Sequence, residues 1–145
     1  MSKEELLRLD NQLCFPLYAA SKEIIKRYKP LLDKYNITYT QYLVLLCLWE
    51  KDNILVKDLG IRLYLDSGTL TPLLKKLEKK GYISRIKNGL DERQVLISLT
   101  DKGRNIKKEM YNIPLSIGGC VKLEKDEAMT LYKLLYKILR GLNNE

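Results

Sequence analysis

The chain has no histidine, one phenylalanine, one tryptophan and three cysteines among its 145 residues. Without histidine there can be no His-ligated metal site and no nucleophile activated by an imidazole, which removes the Ser-His and Cys-His pairs. Cys14, Cys47 and Cys120 are widely spaced and form no Cys-x-x-Cys pair, so neither a disulfide framework nor a zinc site is expected. The longest apolar run is Leu43 to Trp49, far short of a membrane span. The opening residues Met1-Ser2-Lys3-Glu4-Glu5 are charged and lead into an amphipathic pattern, unlike a secretion signal. No cofactor and no membrane partner are expected, and the expected location is cytoplasmic.

What is present describes a globular, basic chain. Apolar residues make up 46% and charged residues 30%, enough to bury a core. Basic residues number 26 against 18 acidic ones, a formal charge of +8 that favours an anionic partner. The length fits one subunit.

Helical periodicity dominates. Leu6, Leu9, Leu13 and Leu17 follow helical spacing, as do Ile24, Ile25 and Tyr28. Pro16 cannot donate to the carbonyl of Gln12, which predicts a kink around Cys14; Pro30 is expected to close the element, with a short turn over 31–35. Thr38-Tyr39-Thr40-Gln41 is a capping box opening a helix that carries Leu43, Leu45 and Leu46 inward and ends near Glu50. Val56, Leu59 and Leu63 mark one face of a short helix. Asp66-Ser67-Gly68-Thr69 then supplies a turn and cap for a second, lined by Leu70, Leu73, Leu74 and Leu77 and ended by Gly81. Pro72 conflicts with that helix unless it begins near Thr69 or the Gly68 carbonyl turns outward.

After Gly81 the period changes to two. Tyr82 to Lys87 and the alternating Val95, Ile97 and Leu99 predict a hairpin around the polar loop Asn88-Gly89-Leu90-Asp91-Glu92-Arg93. Thr100 caps a further helix through Ile106 and Met110, interrupted by Pro114 and Gly118-Gly119. Ala128, Leu131, Leu135, Ile138 and Leu142 form a last apolar stripe. The fold class expected is therefore mainly α with a small β-wing: a winged helix-turn-helix over 36–103, with dimerisation helices over 1–35 and 104–145, all one subunit.

This order points to double-stranded DNA. A recognition helix places its first residues at base edges while flanking cations and hydroxyls grip phosphates. Ser67, Gly68, Thr69 and Thr71 open the second helix of the pair, and Lys75, Lys76, Lys79 and Lys80 follow. A hairpin tipped with Arg93 reaches toward a neighbouring minor groove. The terminal apolar stripes exceed what so small a domain needs, and a two-fold homodimer that reads a pseudo-palindromic operator uses them. The competing readings are a solvated lysine face and terminal helices folded onto their own domain. Cys47, inside Leu45-Leu46-Cys47-Leu48, is expected in the core. Cys14, in Leu13-Cys14-Phe15-Pro16-Leu17-Tyr18, is either another small buried hydrophobe or the thiol that carries chemistry.

On these residues the sequence resembles the MarR family of winged-helix regulators and, within it, the organic-hydroperoxide repressors called OhrR. The resemblance rests on Leu13-Cys14-Phe15, Leu17-Tyr18, Tyr28-Lys29-Pro30-Leu31-Leu32-Asp33, Ile37-Thr38-Tyr39, Gln41-Tyr42-Leu43, the run Leu65 to Leu74, and Asp91-Glu92-Arg93-Gln94-Val95. Asp91 and Arg93 in the wing mark the broad family; Cys14, Tyr28 and Tyr39 mark the peroxide-sensing branch. The resemblance implies that Cys14 is the peroxidatic thiol, that Tyr28 and Tyr39 hydrogen-bond it across a dimer interface with Tyr18 nearby, and that an organic hydroperoxide is the signal that releases the operator. Two positions depart from the pattern: Pro16 stands where a small residue is usual, and Cys120 follows Pro114 one residue out of register with the resolving cysteine of one OhrR subclass. Cys120 is thus either a candidate resolving thiol or a passive loop cysteine. Two other functions compete. One is a MarR-type repressor binding a small phenolic compound between dimer arm and DNA-binding lobe. The other is a thiol peroxidase, disfavoured because it leaves the basic winged helix unused; the expectation is a regulator and not an enzyme.

Overall fold

The computed structural model describes residues 1–87 and 89–143; Asn88, expected in the hairpin loop, lies outside them. In chain order the elements are α1 (Lys3–Leu6), α2 (Cys14–Asp33), α3 (Tyr39–Glu50), β1 (Ile54–Leu55), α4 (Val56–Leu63), α5 (Ser67–Lys79), β2 (Ile83–Ile86), β3 (Leu96–Leu99), α6 (Asp101–Asn105), α7 (Asn112–Cys120) and α8 (Lys125–Asn143). Short 3-10 turns stand at Leu9–Asn11, Glu92–Gln94 and Ile106–Glu109. The three strands form one antiparallel sheet in the order β1-β3-β2, with Ile54 opposite Ile97 and Ile83 opposite Leu99. This is the winged helix-turn-helix expected, with β1 as an addition. Two residues carry too little period to be seen as a strand in sequence.

Pro16, Pro30 and Pro114 depart from expectation, and Pro72 lies inside its helix as anticipated. Pro16 does not kink a continuous helix. The chain breaks earlier, where Gln12 is extended (φ −92°, ψ 114°) and its side chain caps the carbonyls of Leu6 and Arg8 at 2.7 and 2.8 Å. Helix α2 then starts at Cys14, so Pro16 lies in its first turn, where a missing amide costs nothing. Pro114 sits likewise in the first turn of α7, which runs on through Gly118 and Gly119 to Cys120; the interruption falls before it, at Met110 and Tyr111. Pro30 does not end α2, which continues to Asp33 and buries Leu32. Pro72 is accommodated inside α5, which begins at Ser67 and not near Thr69. Tertiary burial overrides a single lost helical bond in both cases.

The capping signals hold. Thr38 Oγ1 accepts from the Gln41 amide at 3.3 Å, and Gln41 Oε1 accepts from the Thr38 amide at 3.0 Å. Asp66 Oδ1 accepts from the Thr69 amide at 2.7 Å, and Thr100 Oγ1 from the Gly103 amide at 3.1 Å. Gly81, at φ +88°, closes α5: its amide bonds Glu78 and the Tyr82 amide bonds Leu77, a turn that favours glycine because it carries no Cβ.

Helix α3 lies at the centre of the core. It buries Gln41, Tyr42, Val44, Leu45, Cys47 and Leu48, while Leu43 and Leu46, expected inward, are half-buried. Leu70, Leu74 and Leu77 pack α5 against it, each fully buried. Burial on this scale is worth roughly 1.5–3 kcal/mol per side chain, more than a helix of this length gains from its own propensity. Val95, Ile97 and Leu99 alternate inward from the wing as expected. The segment 104–145 divides: Ile106, Met110, Ile113 and Ile117 are buried in the chain's own core, with α7 packed on α2, whereas α8 buries nothing. Leu131, Leu134, Ile138 and Leu142 of α8 are exposed, as are Leu6, Leu7, Leu13, Phe15 and Leu17 near the N-terminus. So much uncovered apolar surface is unusual on a monomer. Among the described residues no helix is long and apolar enough to cross a membrane.

Gly103 lies where a side chain has no room. A Cβ there would collide with the Tyr82 carbonyl and stand 3.1 Å from Leu99 Cδ2, while Trp49 Nε1 donates to the Gly103 carbonyl at 2.9 Å. Gly103→Ala is expected to destabilise the chain by about 1–3 kcal/mol through overpacking. Urea unfolding measures it, and an unchanged midpoint contradicts the contact.

Candidate redox site and DNA-facing surface

Cys14 is the first residue of α2 and is exposed. Its sulfur therefore stands at the N-terminal end of a helix of 20 residues, beside first-turn amides that have no partner within the helix. Tyr18 follows one turn later, also exposed, with Lys22 Nζ 5.4 Å from its ring centre. Tyr28 lies on the same helix, 14 residues from Cys14. At 1.5 Å per residue that is about 21 Å, so no rotamer brings the Cys14 sulfur to the Tyr28 hydroxyl of its own chain.

Tyr28 and Tyr39 come together in the fold. Their ring centres are 4.7 Å apart, tilted by 51°. A third ring, Tyr42, completes the cluster at 5.8 Å from Tyr28 and 6.4 Å from Tyr39. Tyr42 was not singled out as a functional residue, although the spacing Tyr39-x-x-Tyr42 places both rings on one face of α3. Burial, and then the neighbouring phenols of Tyr39 and Tyr42, push Tyr28 up to about 12. Burial also raises Tyr39 and Tyr42 above the usual tyrosine value. All three remain protonated at neutral pH and keep a hydroxyl to donate. Cys120 is exposed at the last residue of α7, in a helix and not in the loop expected. Cys47 is buried in the core as expected, and burial pushes its thiol up, away from reactivity.

The residues expected to face DNA lie on α5 and on the loop between β2 and β3. Ser67, Gly68 and Thr69 are exposed in the first turn of α5, Lys75 and Lys76 are exposed along it, and Thr71 is half-buried at its margin. Arg93 is not at the tip of the wing. It lies on the return of the loop, in the turn Glu92–Gln94, which packs against α4 and α5. Asp91 holds it there: Oδ1 accepts from the Arg93 amide at 2.9 Å and Oδ2 lies 3.5 Å from Nη2. Those two bonds keep the Asp91 carboxyl below its ordinary value. A cleft of about 730 Å3 separates these elements from the end of α8, lined by Tyr64, Ser67 and Arg93 on one side and Arg140 and Asn143 on the other.

The tyrosine cluster has a signature in alkali. A phenol raised on folding contributes stability that is fully present below pH 10 and is lost as pH rises toward about 12. Tyrosinate absorbance should show a late component near that value, absent from Tyr28→Phe. A single transition at the value of exposed tyrosines would contradict the cluster.

Comparison with known proteins agrees with this architecture. Residues 26–110 match the family model of the transcriptional regulator SarA/Rot. The chain is 50% identical over 144 residues to the organic hydroperoxide resistance transcriptional regulator of Bacillus subtilis (strain 168), covering 99% of this chain and 98% of that one. Reduced AbfR bound to DNA, from Staphylococcus epidermidis, superposes with a TM-score of 0.77 at 39% identity, over 97% of both chains. Disulfide-formed AbfR superposes at 0.67 and 37%, over 97% of this chain and 96% of that one. The chain belongs to the MarR and SarA/Rot group of winged-helix transcriptional regulators, in the branch of the organic hydroperoxide resistance regulators.

Proposed function

We propose that the protein is a homodimeric, redox-sensing transcriptional repressor that binds a pseudo-palindromic operator and leaves it when an organic hydroperoxide oxidises Cys14. One observation carries this reading: Cys14 opens the rigid helix α2, whereas Tyr28, which meets Tyr39 of α3, lies 14 residues further along it. Two copies of α2 running antiparallel across a two-fold axis bring each thiol to the partner's phenols. The uncovered apolar faces of α8 and the N-terminal segment, over 1–35 and 121–143, are the surface such a dimer buries. The partner's phenols then donate to the thiolate, and Tyr18 stands beside it.

The Cys14 thiolate attacks the distal peroxide oxygen; the O–O bond breaks, and the alkoxide leaves and takes up a proton as alcohol. The sulfur becomes a sulfenic acid, which condenses with a thiol to a disulfide and water. Cys120 of the other chain is the candidate thiol. AbfR has been solved bound to DNA both reduced and overoxidised, and also with its disulfide formed, which supports a role for disulfide chemistry beyond oxidation alone. Binding to an operator supports a cytoplasmic location, and relatives that are transcriptional regulators support a regulator over an enzyme.

The DNA contacts belong to Ser67, Gly68, Thr69 and Thr71 at base edges, with Lys75, Lys76 and Arg93 on phosphates or the adjacent minor groove and Asp91 orienting Arg93. A second reading, a repressor answering a small phenolic acid, draws on the arginine-lined cleft between α8 and the DNA-binding lobe.

Peroxide should weaken operator binding by the wild type and leave Cys14→Ser bound. Release of Cys14→Ser by a phenolic acid, with a wild type indifferent to peroxide, would favour the second reading instead. Non-reducing gels with peptide mapping should show a dimer joined through Cys14 and Cys120; a small-thiol adduct on Cys14 in a monomeric band excludes that route. Lys75→Ala should lower affinity evenly across sequences and flatten the salt slope by about one unit, and Arg93→Ala should weaken binding without unfolding the chain. Unaltered affinity in both variants contradicts the docking mode.

A further inference from the structure

Gln41 is a polar residue buried in the core, at 2% exposure. A glutamine at the third position of a helix ordinarily completes a capping box at the surface, and for that it needs no burial. Here the rest of its amide reaches across to another helix. Nε2 donates to the Leu73 carbonyl of α5 at 3.4 Å, and Oε1, which already accepts from the Thr38 amide, also accepts from Lys80 Nζ at 2.9 Å. Its neighbours in the same turn are Tyr39 and Tyr42, whose rings meet Tyr28 of α2.

We infer that Gln41 is a positioning residue that couples the phenol cluster to the DNA-reading helix, tying the first turn of α3 to the middle and the C-terminal end of α5. The inference rests on the redox-sensing reading above. A shift of α2 against α3, such as oxidation of a partner thiol at Tyr28 and Tyr39 would impose, moves the turn that carries Gln41. A buried amide cannot abandon its partners without leaving polar groups unpaired, so α5 follows. The operator's fixed half-site spacing converts that movement into lost affinity. Partial burial, and then the neighbouring Lys76 charge, hold Lys80 below its ordinary value.

The test measures operator affinity by fluorescence anisotropy before and after one equivalent of organic hydroperoxide. It compares wild type, Gln41→Met, Gln41→Glu and Lys80→Met, with the rate of Cys14 sulfenylation in each. Gln41→Glu keeps the acceptor for Thr38 and Lys80 but loses the donor to Leu73. Gln41→Met loses both. Lys80→Met removes the α5 cation and guards against a Gln41 variant that does not fold. A lysine that only touched phosphate would lower both affinities together and leave their ratio alone. Expected is a reduced-to-oxidised affinity ratio that narrows roughly tenfold in Gln41→Met and Lys80→Met and less in Gln41→Glu, with the sulfenylation rate unchanged. Wild-type ratios in the folded variants, or a sulfenylation rate that falls in step with the ratio, overturn the inference alone. A wild type that keeps its operator after peroxide overturns the sensing reading and this inference with it.

Discussion

Everything proposed for this protein depends on the rigidity of α2. A helix has a fixed rise, so the 14 residues between Cys14 and Tyr28 are a fixed distance of about 21 Å. The thiol and the phenols cannot meet within one chain, so the proposed redox site is incomplete until a second chain supplies the other half. The same helix carries Phe15 and Leu17, which a lone chain leaves exposed. Site assembly and subunit association are therefore one event. Any change at the thiol is felt first at the contact between the two chains, before it reaches any core residue.

The lobe that faces DNA is built for the opposite purpose. Leu70, Leu74 and Leu77 hold α5 to the core, leaving Ser67, Lys75 and Lys76 on its outer face. The wing does not wave free: its return packs on α4 and α5, with Asp91 fixing Arg93 before any nucleic acid arrives. Such preorganisation lowers the entropy lost on binding. It also makes affinity sensitive to where the whole lobe is carried, because little within it can adjust. A small displacement at the dimer arm then has a large effect at the operator, which is the property a sensor needs.

Much of this was legible in the residues themselves. The capping box at Thr38, the N-caps at Asp66 and Thr100, the glycine stop at Gly81, the change of period in the hairpin and the small polar start of α5 are local signals, each complete within a few positions. They determined the helix-turn-helix, the wing and the polar side chains that α5 leaves exposed. The exposed apolar stripe of α8 was equally plain. What sequence decided less well was where helices begin around proline. Pro16 and Pro114 open helices and Pro30 and Pro72 lie inside them, because the first turn tolerates a missing amide and burial elsewhere outweighs one lost bond. Only the tertiary structure decided the third ring at Tyr42, the folding of Arg93 against the helix pair, and the second role of Gln41. Gln41 meets Leu73 and Lys80 at separations of 32 and 39 residues. No local pattern encodes such contacts, since they exist only where packing brings distant helices within hydrogen-bonding reach.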